Sequence, residues 1–155
     1  VGDSWQGMIG HDAQGFIIFA NDAWGIRALA MDLYNKITRD GLTTIRGIIS
    51  KYAPASENNV PAYIAAVVNE TGIGPDEVVT PDQPTIHAMI RAIANHENGD
   101  SSVISDADID EGISMVGGGF AQLLKAGQVV VENNPQGSAI VIGGAVLLLL
   151  YMMGK

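Results

Sequence analysis

The strongest constraint on how this chain folds lies at its end, where Gly137 to Met153 runs without one charge through Ile140-Val141-Ile142-Gly143-Gly144-Ala145-Val146 and four leucines. So long an apolar run must leave water. As a helix rising about 1.5 Å per residue it would reach roughly 25 Å, a little short of a hydrocarbon core about 30 Å thick. Local thinning of the bilayer would close the gap, with Lys155 snorkelling to the far headgroups and Tyr151 near the interface. The run therefore predicts a transmembrane helix over 137–154 that ties the chain to a lipid bilayer. Gly143-Gly144 and the β-branched residues before it also suit a strand, so a buried hairpin or core helix is the alternative.

What precedes the run is long enough for one compact domain, since the chain has 155 residues of which 47% are hydrophobic. That domain is expected over 1–116. Gly117-Gly118-Gly119 then opens a hinge and membrane-proximal segment over 117–136. A net charge of -9 with only eight Lys and Arg excludes a nucleic-acid-binding surface, which needs clustered cations. The absence of cysteine excludes disulfides, thiolate zinc sites and a cysteine nucleophile. The chain starts at Val1 without Met, and no basic stretch followed by an apolar one stands there, so no signal peptide is in view and what lies upstream is left open.

Local signals outline a mainly α domain. Trp5 to Phe19, with an Asp12-Ala13-Gln14-Gly15 turn before Phe16-Ile17-Ile18-Phe19, predicts a hairpin. Asn21 or Asp22 caps a helix with Ile26, Leu29, Leu33 and Ile37 on its inner face, ending near Asp40-Gly41. A second helix carries Leu42, Ile45, Ile48, Ile49 and Tyr52 on one face and stops before Pro54. A third starts at Pro61 and ends at Gly72; Pro75 to Val79 reads as a brief helical turn; a fourth starts at Asp82 or Thr85 and ends at His96-Glu97-Asn98-Gly99. Ser105 with Asp108 resembles a capping box for a fifth through Val116. Val129-Val130-Val131 reads as extended.

Among residues able to carry chemistry, Glu97 stands out. A carboxyl at the C-terminal end of an apolar helix is pushed toward its protonated form by burial and by the partial negative charge of the helix end. A general acid for glycosidic cleavage needs that property. On position alone Glu97 also suits a solvated residue at a helix end. The alternating aspartates Asp106, Asp108 and Asp110 invite a calcium loop, but Glu111 stands where the sharp-turn Gly belongs and Gly117 where the bidentate Glu belongs. First-turn helix acids account for them better. His11, His87 and His96 lack a zinc-ligand spacing, and no Gly-rich phosphate loop with Lys occurs, so neither metal nor cofactor is expected.

Ile93-Ala94-Asn95-His96-Glu97-Asn98-Gly99 resembles the helix-end catalytic Glu of lysozyme-superfamily enzymes. Trp5-Gln6-Gly7, the Phe16 to Phe19 strand, Trp24-Gly25-Ile26-Arg27-Ala28, and Tyr52-Ala53-Pro54 with Asn59, Tyr63 and Ile64 are similar to segments of the flagellar and autolysin type of glucosaminidase. There the Glu-bearing helix precedes the hairpin; here Glu97 follows, as a circular permutation would place it. The order of motifs also resembles a group of phage virion proteins, in which an Asn-Pro-Gly-Asn segment usually stands upstream of the Trp and is missing here. The likeness runs from Trp5 to Met115.

The resemblance implies a lysozyme-like helical domain with a small β-hairpin. It implies Glu97 as the acid that protonates the glycosidic oxygen and Tyr52 as the group that stabilises developing charge or orients the acetamido group. Asn58, Glu57, Trp5 and Tyr63 would contact substrate, with Glu57 the nearest candidate for a second carboxylate. Without a second carboxylate at about 5 to 9 Å, a one-acid route by substrate assistance or internal ring closure is the expectation. Read from the residues themselves, Tyr52 also suits a core-edge aromatic and Asn58 a loop cap. The function implied is a membrane-anchored, virion-associated peptidoglycan glycosidase or lytic transglycosylase, located in a viral internal membrane or in the host envelope on entry. The alternative is a noncatalytic virion structural protein, in a membrane or channel, that keeps the shape and binds sugar or other virion proteins; a helical assembly module is a third.

Overall fold

Among the described residues the chain forms five helices and four short strands. The computed structural model describes residues 5–52, 59–99 and 104–116, and the backbone of 140–142 and 145–147. The first hairpin joins β1 (Met8–His11) to β2 (Ile17–Phe19). Asp12 holds its turn, its carboxylate accepting from the backbone of Gln14 and Phe16 at 2.9 Å each. The register steps from Met8↔Phe19 to Gly10↔Ile18, so Ile9 is the extra residue of a bulge. Gly7 is required just before β1, because a Cβ there would come within 2.2 Å of the Trp24 side chain.

Helix α1 (Asp22–Thr38) is the centre of the molecule, buried on nearly every side, with Asn21 capping its start. Helix α5 (Asp106–Ser114) crosses it closely at Gly112, where a Cβ would stand 2.5 Å from Ile26 Cγ2. Arg27 then donates from Nε to the Met115 carbonyl at 3.0 Å, occupying one of the acceptors left at the end of α5. Both halves of the capping box between Ser105 and Asp108 are formed.

Helix α2 (Ile45–Tyr52) buries Ile45, Ile48, Ile49 and Tyr52, while Leu42, expected on the same face, precedes the helix and is only partly buried. Helix α3 (Val60–Thr71) begins at the Asn59 cap and ends on Gly72; α4 (Gln83–Asn98) begins at the Asp82 cap and ends on Gly99. Both glycines are left-handed, at φ 69° and 65°, a conformation that glycine adopts without penalty. The segment expected as a helical turn at Pro75 to Val79 is instead a turn followed by a bridge from Val78 to Thr44. Its backbone groups are committed elsewhere: the Pro75 carbonyl accepts from Arg46 N–H at 2.9 Å, and Val79 N–H donates to Thr43 at 2.8 Å.

The transmembrane helix expected over 137–154 is overturned. Ile140–Ile142 and Ala145–Leu147 are strands β3 and β4, antiparallel to one another, and β3 pairs in parallel with β2 to give the sheet order β1-β2-β3-β4. Among the described residues no helix is long and apolar enough to cross a membrane. The physical reason lies in the composition of the run. β-branched Ile140, Val141, Ile142 and Val146 favour strands, the adjacent glycines weaken a helix, and the second edge of β2 offers backbone partners. β3 then packs by α1 and β4 by α4. The expected fold class, a lysozyme-like domain plus a membrane helix, is thus corrected to a mainly helical protein packed on a small mixed sheet. The hinge glycines, Val129-Val130-Val131 and residues 53–58 lie outside the described residues.

Candidate functional site

The C-terminal end of α4 delivers Glu97. Asn98 turns back to donate from Nδ2 to the Ala94 carbonyl at 2.8 Å, and Gly99 N–H donates to Asn95, so the helix ends tightly beneath the carboxyl. Burial pushes the Glu97 carboxyl above the usual glutamate range, and the Tyr63 hydroxyl pulls it part of the way back. The helix end adds partial negative charge on the same side of the balance.

Tyr63 comes from α3, which packs along α4. Its ring stacks on that of His96 with centroids 3.8 Å apart and planes 18° from parallel. Burial lowers the His96 pKa, which favours the neutral imidazole in that stack. The Tyr63 hydroxyl is fully buried, and burial followed by the Glu97 charge holds its proton well above the ordinary tyrosine range. Its contact with Glu97 falls short of a well-formed hydrogen bond, leaving the oxygen without a proper partner.

Tyr52, at the end of α2, is likewise buried, 2% exposed. Its hydroxyl donates to Asp32 Oδ2 of α1. Asp32 Oδ1 accepts from Lys36 Nζ at 2.7 Å, and the same ammonium lies 4.7 Å over the Tyr52 ring. Lys36 is 1% exposed, so both charges of the pair are withdrawn from water. Burial, then the Asp32 charge, then its hydrogen bond, and last Tyr63 raise the Tyr52 pKa well above its ordinary value.

Of the residues singled out in the sequence, Glu97 bears electrostatically on Tyr63 and Tyr63 on Tyr52, while the Tyr63 hydroxyl itself has no hydrogen-bond partner. Trp5 is elsewhere, 8% exposed among the apolar side chains of the core. Glu57 and Asn58 lie outside the described residues. Asp32 and Lys36 escaped the sequence reading, although an acid and a base four residues apart on one helix were a usable signal. An open groove of about 570 Å³ between α2 and α3, walled by Val60, Pro61, Ile64 and Val68 with Arg46 and Ser50 at its edge, is separate from Glu97. Among the described residues no three His, Asp or Glu side chains are placed to hold a metal ion. Chemically, the half-buried Glu97 carboxyl can hold one proton, while Asp32 is spent on Lys36 and Tyr52.

Over 106 residues the chain is 35% identical to Protein P5 of Pseudoalteromonas phage PM2. It has a bacteriophage relative. The alignment takes in 68% of this chain and 65% of that protein, so the chain spans a little under two thirds of the relative's length. The chain matches no known family model.

Proposed function

We propose that this chain is a structural component of a bacteriophage virion, packed among other virion proteins and without need of catalysis. The observation that carries this reading is the 35% identity to a phage protein over two thirds of the chain. The geometry agrees with it: Trp5 and Tyr52 are built into the core, and the Tyr52 hydroxyl is spent on Asp32. Mass spectrometry of gradient-purified particles of the phage that encodes the chain is the test. The chain should sediment with intact particles in many copies; its confinement to the soluble lysate would overturn the reading.

A second reading is supported by one specific feature, the half-buried Glu97 with its raised proton affinity. In it Glu97 donates a proton to a glycosidic oxygen of peptidoglycan, by a one-acid route with substrate assistance or internal ring closure. Purified peptidoglycan incubated with the full chain should then release muropeptides, with anhydro ends if the ring closes internally. Equal release by Glu97→Gln, or none from the folded native chain, would remove it.

A further inference from the structure

Helix α3 is apolar on its outer face as well as its inner one. From Val60 to Val68 the only polar side chain is Tyr63, whose hydroxyl is buried. A surface helix ordinarily turns charged and polar residues to water. Here Pro61, Ala62 and Ala65 are exposed and Val60 and Val68 half-buried, and the same stripe walls the open groove of about 570 Å³ shared with α2. An exposed apolar surface of this kind marks a contact with another molecule. We propose that this face is where two copies of the chain pair, α3 against α3 about a two-fold axis, each stripe lying in the groove of the other copy.

The charges select a second copy as the occupant. A chain of net charge -9 repels its own copies over most of its surface, and α5 alone presents Asp106, Asp108, Asp110 and Glu111. The stripe, which over Val60 to Val68 runs about 12 Å, carries no charge to oppose contact. At the rim, Arg46 is already committed to Asp76 by two bonds of 2.6 and 2.8 Å, so the groove does not call for the anionic group of a lipid or nucleotide.

The direction of the helices supplies the complement. Only residues 53–59 join α2 to α3, a short connection of the kind that makes neighbouring helices antiparallel. The Arg46 N–H donates to the Pro75 carbonyl at 2.9 Å, which sets the first turn of α2 beside the chain that leaves α3. Lys51, in the last turn of α2, therefore stands at the end of the groove where α3 begins, and Glu70, in the last turn of α3, at the other; both are exposed. A two-fold axis near Ile64 and Ala65, the middle of the stripe, runs the two α3 helices antiparallel. It brings Lys51 of each copy to Glu70 of the other, and a two-fold contact makes that pairing twice.

The pairing deepens the reading of the chain as a virion structural component, and rests on it for its purpose. The experiment is sedimentation velocity of the full chain from micromolar to millimolar concentration, with circular dichroism to show that each variant is folded. Native chain should sediment as a dimer. Ala65→Glu, which sets two like charges face to face near the axis, should sediment as a monomer. Lys51→Glu and Glu70→Lys should each weaken the dimer by about tenfold or more, and the two together should restore it, because the opposite charges again face one another. A native chain that stays monomeric at millimolar concentration, a dimer indifferent to Ala65→Glu, or a double reversal no better than the single ones would overturn the pairing. So would a monomeric native chain that floats with neutral phospholipid vesicles, which would give the groove to lipid. A chain that is monomeric in solution yet sediments with particles overturns the pairing alone; a dimeric chain confined to the soluble lysate upholds the pairing and overturns the structural reading.

Discussion

Two buried polar groups of the molecule, Lys36–Asp32–Tyr52 and Tyr63–Glu97, differ in how well their hydrogen bonds are met. In the α1–α2 group, Lys36, Asp32 and Tyr52 are dry, closely spaced and mutually satisfied. In the α3–α4 group, Glu97 is half-buried with a raised proton affinity and Tyr63 lacks a formed bond. A buried ion pair is costly to assemble and costlier to break, so the first group serves the fold. Groups held away from their comfortable protonation and bonding states do not serve stability, and Glu97 and Tyr63 are such groups.

Breaking the satisfied group should have the largest effect. Asp32→Leu leaves the Lys36 ammonium buried and unpaired, and urea unfolding should show a loss of about 3–5 kcal/mol. Adding Lys36→Met to that variant should restore much of it, because the unpaired charge is then gone. Tyr52→Phe leaves the ion pair but removes a hydrogen bond to a charged group, with an expected loss of about 1.5–3 kcal/mol in the same assay. Tyr63→Phe sharpens the contrast: with no formed hydrogen bond to lose, it should change stability by less than about 0.5 kcal/mol. Equal losses for the two Phe variants would erase the distinction between the two groups.

The sequence revealed those parts of the structure that depend on near neighbours. Asn21, Asn59, Asp82 and Ser105 cap their helices because a side-chain oxygen need only reach two or three residues ahead, and Gly72 and Gly99 end theirs by local conformation. The buried face of α2 was legible for the same reason. The fate of 140–147 was not, because hydropathy is the same for a span in lipid and a strand in a sheet. The deciding partner, the second edge of β2, lies more than a hundred residues away. At the site, Glu97 and Tyr63 were visible as motif residues, while Asp32 and Lys36 became meaningful only once α2 laid Tyr52 against α1. Their identity as a pair was readable; their burial was a tertiary fact.

The claim that Glu97 is held against the stability of the fold is tested most directly by melting the native protein and Glu97→Gln side by side from pH 4 to pH 7. Because the folded state raises the Glu97 pKa, folded protein binds more protons than unfolded protein as pH rises above the usual glutamate value of 4.5. Stability is therefore lost through that window, up to the raised folded value, and stays lost above it. Glutamine has no proton to lose, so the variant should melt higher than native protein at pH 7, and the gap should shrink toward zero as pH falls to 4. A variant that melts lower than native protein at pH 7, by as much as Tyr52→Phe does, would contradict the account and make Glu97 one more member of the structural core.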